Sequence, residues 1–200
     1  MANLPTPPTQ SQVVSDAATS FVDAYYEALN KKHSLAQFYA STSNNLTTAA
    51  VKPDISVNGQ VVESMAALEA LVQSQGSHVH YEVTMFDAHP VNPNYVIGCP
   101  ETLDGSTGTA TTKGKIAKSI ENGERLSFSV HVGGTVKYGK AGANDTATTP
   151  ASAFSNAPDG PIEKAFNEAW LLVPHWEAHS QKAPRGLRKW VVVSQNYRSL

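Results

Sequence analysis

The sequence predicts an α+β domain in which helices at the N-terminal end pack on a strongly bent antiparallel sheet. Three observations carry this expectation. Apolar residues recur at helical spacing in the first third of the chain, and after Gly76 the period changes to two. Four long alternating stretches then follow, and consecutive long strands behind a helical start make an α+β arrangement. The pair Gly133-Gly134, inside one of those stretches, reads as a bulge that bends its strand.

The first helix is read from "SQVVSDAATSFVDAYYEALNKK". Val14, Ala18, Phe21, Val22, Tyr25 and Leu29 fall on one face, Asp16 and Asp23 on the other, and Lys31 and Lys32 close the end. "HSLAQFYA" reads as a short second helix with Leu35, Phe38 and Tyr39 turned inward. In "PDISVNGQVVE" the pair Asn58-Gly59 predicts a hairpin with a type I′ turn. Ser64 caps a third helix, "MAALEALVQSQG", which Gly76 stops.

The strands follow as "HVHYEVTMFDAHPV", "RLSFSVHVGGTVKYG", "IEKAFNEAWLLVPHW" and the closing "RKWVVVSQNYRSL". Strict alternation along the last one sets Trp190, Val192, Ser194, Asn196 and Arg198 on one face, with Val191, Val193, Gln195 and Tyr197 on the other. Its first half is apolar on both faces, so a partner is expected to cover the second face. Residues 1–10 read as a flexible N-terminus and 11–200 as a single domain, with aperiodic loop insertions at about 91–123 and 139–161.

Composition removes several function classes. The 200 residues carry a net charge of −2, which excludes a generally basic nucleic-acid binder and leaves room for local basic patches. With one cysteine, Cys99, no internal disulfide forms, in keeping with a reducing compartment. No run reaches the roughly 18 apolar residues of a membrane span, and no secretory signal is visible.

No cofactor, metal or catalytic motif stands out. His78 and His80 lack a third ligand nearby, "GGTVKYGK" lacks phosphate-loop spacing, and Ser129 and His131 lack a nucleophile-elbow pattern. Asp87 with His89, or His131, are the residues available to a general acid–base site. Two basic clusters are candidates for contact with RNA phosphates: Lys113, Lys115 and Lys118, and Lys182, Arg185, Arg188 and Lys189.

Three features together carry a family resemblance: "FVDAYYEALN", the "VNGQ" hairpin and the closing "WLLVPHWEAHSQKAPRGLRKWVVVSQNYRSL". The chain resembles the nuclear transport factor 2-like family, and within it the small subunits of fungal messenger-RNA export receptors. The likeness covers most of residues 10–90 and 124–200, and "W-x-V-x-S-x-x-Y-R" is also similar to the animal counterpart.

The resemblance implies a cone-shaped fold and a non-catalytic adaptor without cofactor. Such an adaptor pairs sheet to sheet with the matching domain of a large mRNA export receptor. The pair shuttles between nucleus and cytoplasm, carrying mRNA and pre-ribosomal particles through the nuclear pore on Phe-Gly nucleoporin contacts, with RNA bound by the assembled dimer and no membrane partner. On this likeness Trp190, Val192, Ser194, Tyr197 and Arg198 are the partner-interface positions. The alternatives are an isomerase or dehydratase of the same fold, working inside the cone with Asp87, His89 or His131, and a homodimeric nuclear transport carrier.

Overall fold

The structure, a computed structural model, describes residues 3–76, 78–104, 110–139, 162–180 and 183–200. Helix α1 spans Pro7–Asn30; Thr6 caps it by accepting from the Thr9 backbone N–H, with proline at the first helical positions. Residues 7–10 therefore belong to the first helix, not to the flexible N-terminus expected for 1–10. Every apolar residue of the predicted face is buried, and Tyr26 and Ala28 join it. At the helix end Asn30 grips residue 81 from both sides: its Oδ1 accepts from the Tyr81 N–H at 2.7 Å and its Nδ2 donates to the Tyr81 carbonyl at 2.9 Å.

The expected second helix is broken into 3-10 turns at Ala36–Phe38 and Ala40–Thr42, followed by α2 at Asn44–Thr48. Tyr39 is the cause. Its backbone is extended and bridges in parallel to Val192, so helical hydrogen bonding cannot run through it. Leu35, Phe38 and Tyr39 are nevertheless buried, as the apolar pattern requires.

Strands β1 (Asp54–Val57) and β2 (Gln60–Val61) form the hairpin, with positive φ at both Asn58 and Gly59. Helix α3 (Met65–Ser74) is capped by Ser64 and ends before Gly76, at φ 85°. Then come β3 (Val79–Asn92), α4 (Glu101–Asp104), α5 (Ala110–Glu121), β4 (Ser127–Tyr138), β5 (Ile162–Pro174) and β6 (Trp190–Ser199). Helix α5 corrects the aperiodic loop expected at 91–123. Ile116 and Ile120, one turn apart, are both buried and dock it. The expected second loop lies outside the described residues except for Gly139.

The sheet order is β2-β1-β6-β5-β4-β3. β1 runs parallel to β6 and every other pairing is antiparallel, so the sheet is mixed rather than wholly antiparallel. The predicted bulge exists on the facing strand: β3 slips between Val83 and Met85, leaving Thr84 extra opposite Gly133 and Gly134. Gly134 serves close approach instead. A Cβ there would collide with the Glu82 carbonyl oxygen and lie 2.8 Å from the Phe166 ring.

A second slip changes the reading of the closing strand. Leu171 pairs with Ser194 and Leu172 with Val192, so Val193 is an extra residue and the alternation restarts beyond it. Trp190 and Val192 join the main core before the slip, and Tyr197 joins it afterwards. That core fills the space between α1, the 35–40 segment and the inner sheet face. Val191 and Val173 sit in a smaller cluster with Ala40, Leu46 and Trp176. The apolar second face expected to need a partner is thus covered, at this end, by the chain itself.

Candidate partner interface on the outer sheet face

Away from the small cluster, the face opposite α1 is open. The registers place Ser194, Asn196 and Arg198 of β6 beside Leu171, Ala169 and Asn167 of β5. Ala169 in turn pairs with His131 of β4 and Asn167 with Gly133, while His131 pairs with Asp87 of β3 and Gly133 with Met85. Small residues at the centre keep the floor low. A depression of about 380 Å³ opens there, lined by Met85, Asp87, His131, Asn167, Asn196 and Arg198 among others. Met85, at 68% exposure, is the large apolar group of this surface.

Arg198 stands exposed at the rim, and no carboxylate lies within ion-pair distance of it among the described residues. Asp87 is occupied with His89, whose Nε2 is 3.1 Å from its carboxylate, both side chains being largely exposed. Arg198 is a charge offered outward on a surface of amides and small groups.

The five residues assigned to an interface by resemblance are divided by the structure. Ser194 and Arg198 lie on the outer face, Ser194 half-buried and Arg198 exposed. Val192 is fully buried and Tyr197 stacks on Phe166 with ring centroids 5.6 Å apart. Trp190 donates its indole N–H to the Leu126 carbonyl at 3.0 Å and packs edge-on against Phe128. The last three hold the strand to its own core. Met85, His131, Asn167 and Asn196 were not singled out from the sequence as interface positions. The alternation in "IEKAFNEAW" does expose Asn167, but joining it to Arg198 requires the register of β5 on β6.

The cone interior was the place to look for an enzyme. Asp87, His89 and His131 all face out of it, with Asp87 and His131 lining the outer depression, which removes the residues on which that alternative rested. Inside, Phe21, Tyr25, Phe38 and Trp170 pack edge to face, and between the aromatic wall and α3 the space left is about 30 Å³, room for no more than a water or two.

One carboxylate does point inward. Glu168, 3% exposed, accepts from the Tyr26 hydroxyl at 2.5 Å, from the Trp170 indole N–H at 3.0 Å and from the Gln195 amide. Gln195 Nε2 also donates to the Tyr25 hydroxyl, and Tyr39 donates to Gln195 Oε1. Burial pushes the Glu168 carboxyl up to about 7, against the pull of these donors. Burial likewise raises the Tyr25 and Tyr26 phenols well above their ordinary value. The network ties α1 to β5 and β6 with its donors satisfied from within the chain.

The basic candidates also separate. Lys113, Lys115 and Lys118 are exposed on α5, and Arg185 and Lys189 are exposed near the start of β6. Arg188 is half-buried with its guanidinium carbon 3.9 Å from the centre of the Phe38 ring, a structural contact. Lys182 lies outside the described residues. Among the described residues no group of three or more His, Cys, Asp or Glu is placed to hold a metal, and no helix is long and apolar enough to cross a membrane.

No family model and no curated protein matches the chain. Solved structures do. The Mex67:Mtr2 complex with a bound Sac3N peptide contains a chain that is 26% identical, superposes with a TM-score of 0.72, and is matched over 99% of its length by 94% of this chain. The Chaetomium thermophilum Mex67 NTF2-like domain complexed with Mtr2 gives 27% identity and a TM-score of 0.71, covering 94% of this chain and 98% of that one. A structure of Mtr2 gives 25% identity and 0.68, covering 94% and 99%. These near full-length matches, joined to helices packed on a mixed six-stranded sheet, show a nuclear transport factor 2-like fold and an Mtr2-like chain.

Proposed function

We propose that this chain is a non-catalytic adaptor that binds the NTF2-like domain of a large, Mex67-type mRNA export receptor through the outer face of its sheet. The observation that carries this reading is the open face itself: a low floor of small residues, Met85 projecting from it, and Arg198 at the rim with no carboxylate of the described residues within ion-pair distance. The likeness to Mtr2 in complex with Mex67 supports it. Arg198 is suited to meet a carboxylate of the partner, because a guanidinium stays charged and offers a planar fork. In this reading the heterodimer shuttles between nucleus and cytoplasm, carrying mRNA and pre-ribosomal particles through the pore by Phe-Gly nucleoporin contacts. Exposed lysines on α5 and residues near the start of β6 are the surfaces offered to RNA.

The test is assembly with the NTF2-like domain of a Mex67-type receptor, followed by light scattering on a sizing column. Co-expression should give a 1:1 complex. Arg198→Ala, which strands the partner's charge, should weaken it by about 2–5 kcal/mol, and Arg198→Asp should do more. A complex that tolerates Arg198→Ala within about 0.5 kcal/mol removes the bridge. A monodisperse monomer that ignores the domain removes the adaptor reading altogether.

A further inference from the structure

A second concave surface lies on the helix side of the fold. Helix α1 and the segment leading into β6 enclose a groove of about 510 Å³. Its floor is apolar: Val13, Ala17 and Phe21 from α1 face Leu187 and Trp190. Its far wall is cationic, carrying Arg188 and Lys189, with Asp16 the one acid among the lining residues.

Arg188 is held in place without being neutralised. Its guanidinium lies on Phe38, which packs edge-on against Phe21 with centroids 5.5 Å apart, so the cation and the groove floor share one aromatic wall. Among the described residues its buried Nε has no hydrogen-bond partner, and no carboxylate approaches within ion-pair distance. The charge of Arg188 therefore remains available to the groove that it lines beside Lys189, where a carboxylate can meet it through a charge-assisted hydrogen bond. Burial also lowers the Arg188 pKa.

We infer that this groove docks a short acidic peptide segment of a partner protein, one bearing a large apolar side chain. The apolar side chain covers Ala17, Phe21 and Trp190, and a neighbouring carboxylate faces Arg188 and Lys189. The groove's size and mixed lining match a site for a few residues of chain, and its charge selects acidic over basic flanks. The surface is separate from the outer sheet face, so its occupancy is independent of heterodimer formation.

The test uses the full chain, alone and bound to the receptor's NTF2-like domain, with three matched sets of fluorescein-labelled dodecapeptides. Each set carries a Phe-Leu core, flanked by Asp/Glu, by Lys/Arg or by Ser/Gly. In anisotropy titrations the acidic set should bind at least about tenfold tighter than either other set, and more weakly as salt rises. Lys189→Gln and Arg188→Gln should each weaken it several-fold. Ala17→Glu, which puts a like charge on the half-buried floor, should abolish it while leaving the melting temperature and the heterodimer intact. Equal binding of acidic and basic sets, or undiminished binding to Ala17→Glu, overturns the inference. So does self-association of the chain that Ala17→Glu removes, since the groove would then hold a second copy.

Discussion

Replacing Glu168 with glutamine should flatten the pH dependence of stability between pH 4.5 and 7.5. The carboxyl is buried against α1, and burial moves it from 4.5 to about 7. An acid whose value is raised by folding holds its proton more tightly in the folded chain. Its contribution is complete below pH 4.5 and is lost as pH rises through about 7. That interval, at about 1.4 kcal/mol per pH unit, comes to roughly 3 kcal/mol. Glutamine keeps an acceptor for Trp170 and Gln195 and turns its amide toward the Tyr26 hydroxyl, which can rotate to accept. Leucine strands all three donors, each at a cost of about 1–3 kcal/mol, at every pH.

Urea unfolding monitored by tryptophan fluorescence at pH 4.5 and 7.5 measures the difference. Wild type should lose roughly 3 kcal/mol more than Glu168→Gln across that range. Comparing the two cancels other titrating groups, among them His179, whose burial lowers its pKa. Parallel curves for the two proteins would refute the reasoning, because the carboxyl would then ionise alike in both states.

Two further outcomes follow from local geometry. Gly134→Ala drives a methyl group into the Glu82 carbonyl and the Phe166 ring, and should cost about 2–3 kcal/mol or more in the same unfolding assay; a variant as stable as wild type would mean that β3 and β4 separate freely there. Changing Lys113, Lys115 and Lys118 to glutamine should lower the salt slope of RNA binding by about one for each phosphate that a lysine no longer neutralises, measured on the assembled heterodimer; an unchanged slope returns these α5 lysines to solvent.

Local chemistry was readable wherever a residue's conformation depends on its neighbours in sequence. The buried stripe of α1, the Asn58-Gly59 turn, the Ser64 cap and the four long strands all follow from spacing and short-range hydrogen bonding. Helix α5 was missed because only two apolar residues, Ile116 and Ile120, mark it within a Gly- and Thr-rich stretch, too few to establish a period.

The candidate site depended on more distant facts. Strict alternation put Trp190 and Val192 on the face of Arg198, and the extra residue at Val193 turned them inward, since each slip of one residue exchanges the two faces of a strand. Arg188 looked like an RNA contact until the fold laid it on Phe38, 150 residues away. The amino-acid order by itself determined α1, the hairpin, α3 and the four long strands, and with them the α+β class, because these rest on periodicity and turn chemistry. Which side chains face the core and which face outward was decided only by tertiary structure, because bulges, strand register and ring stacking depend on residues that meet from far apart along the chain.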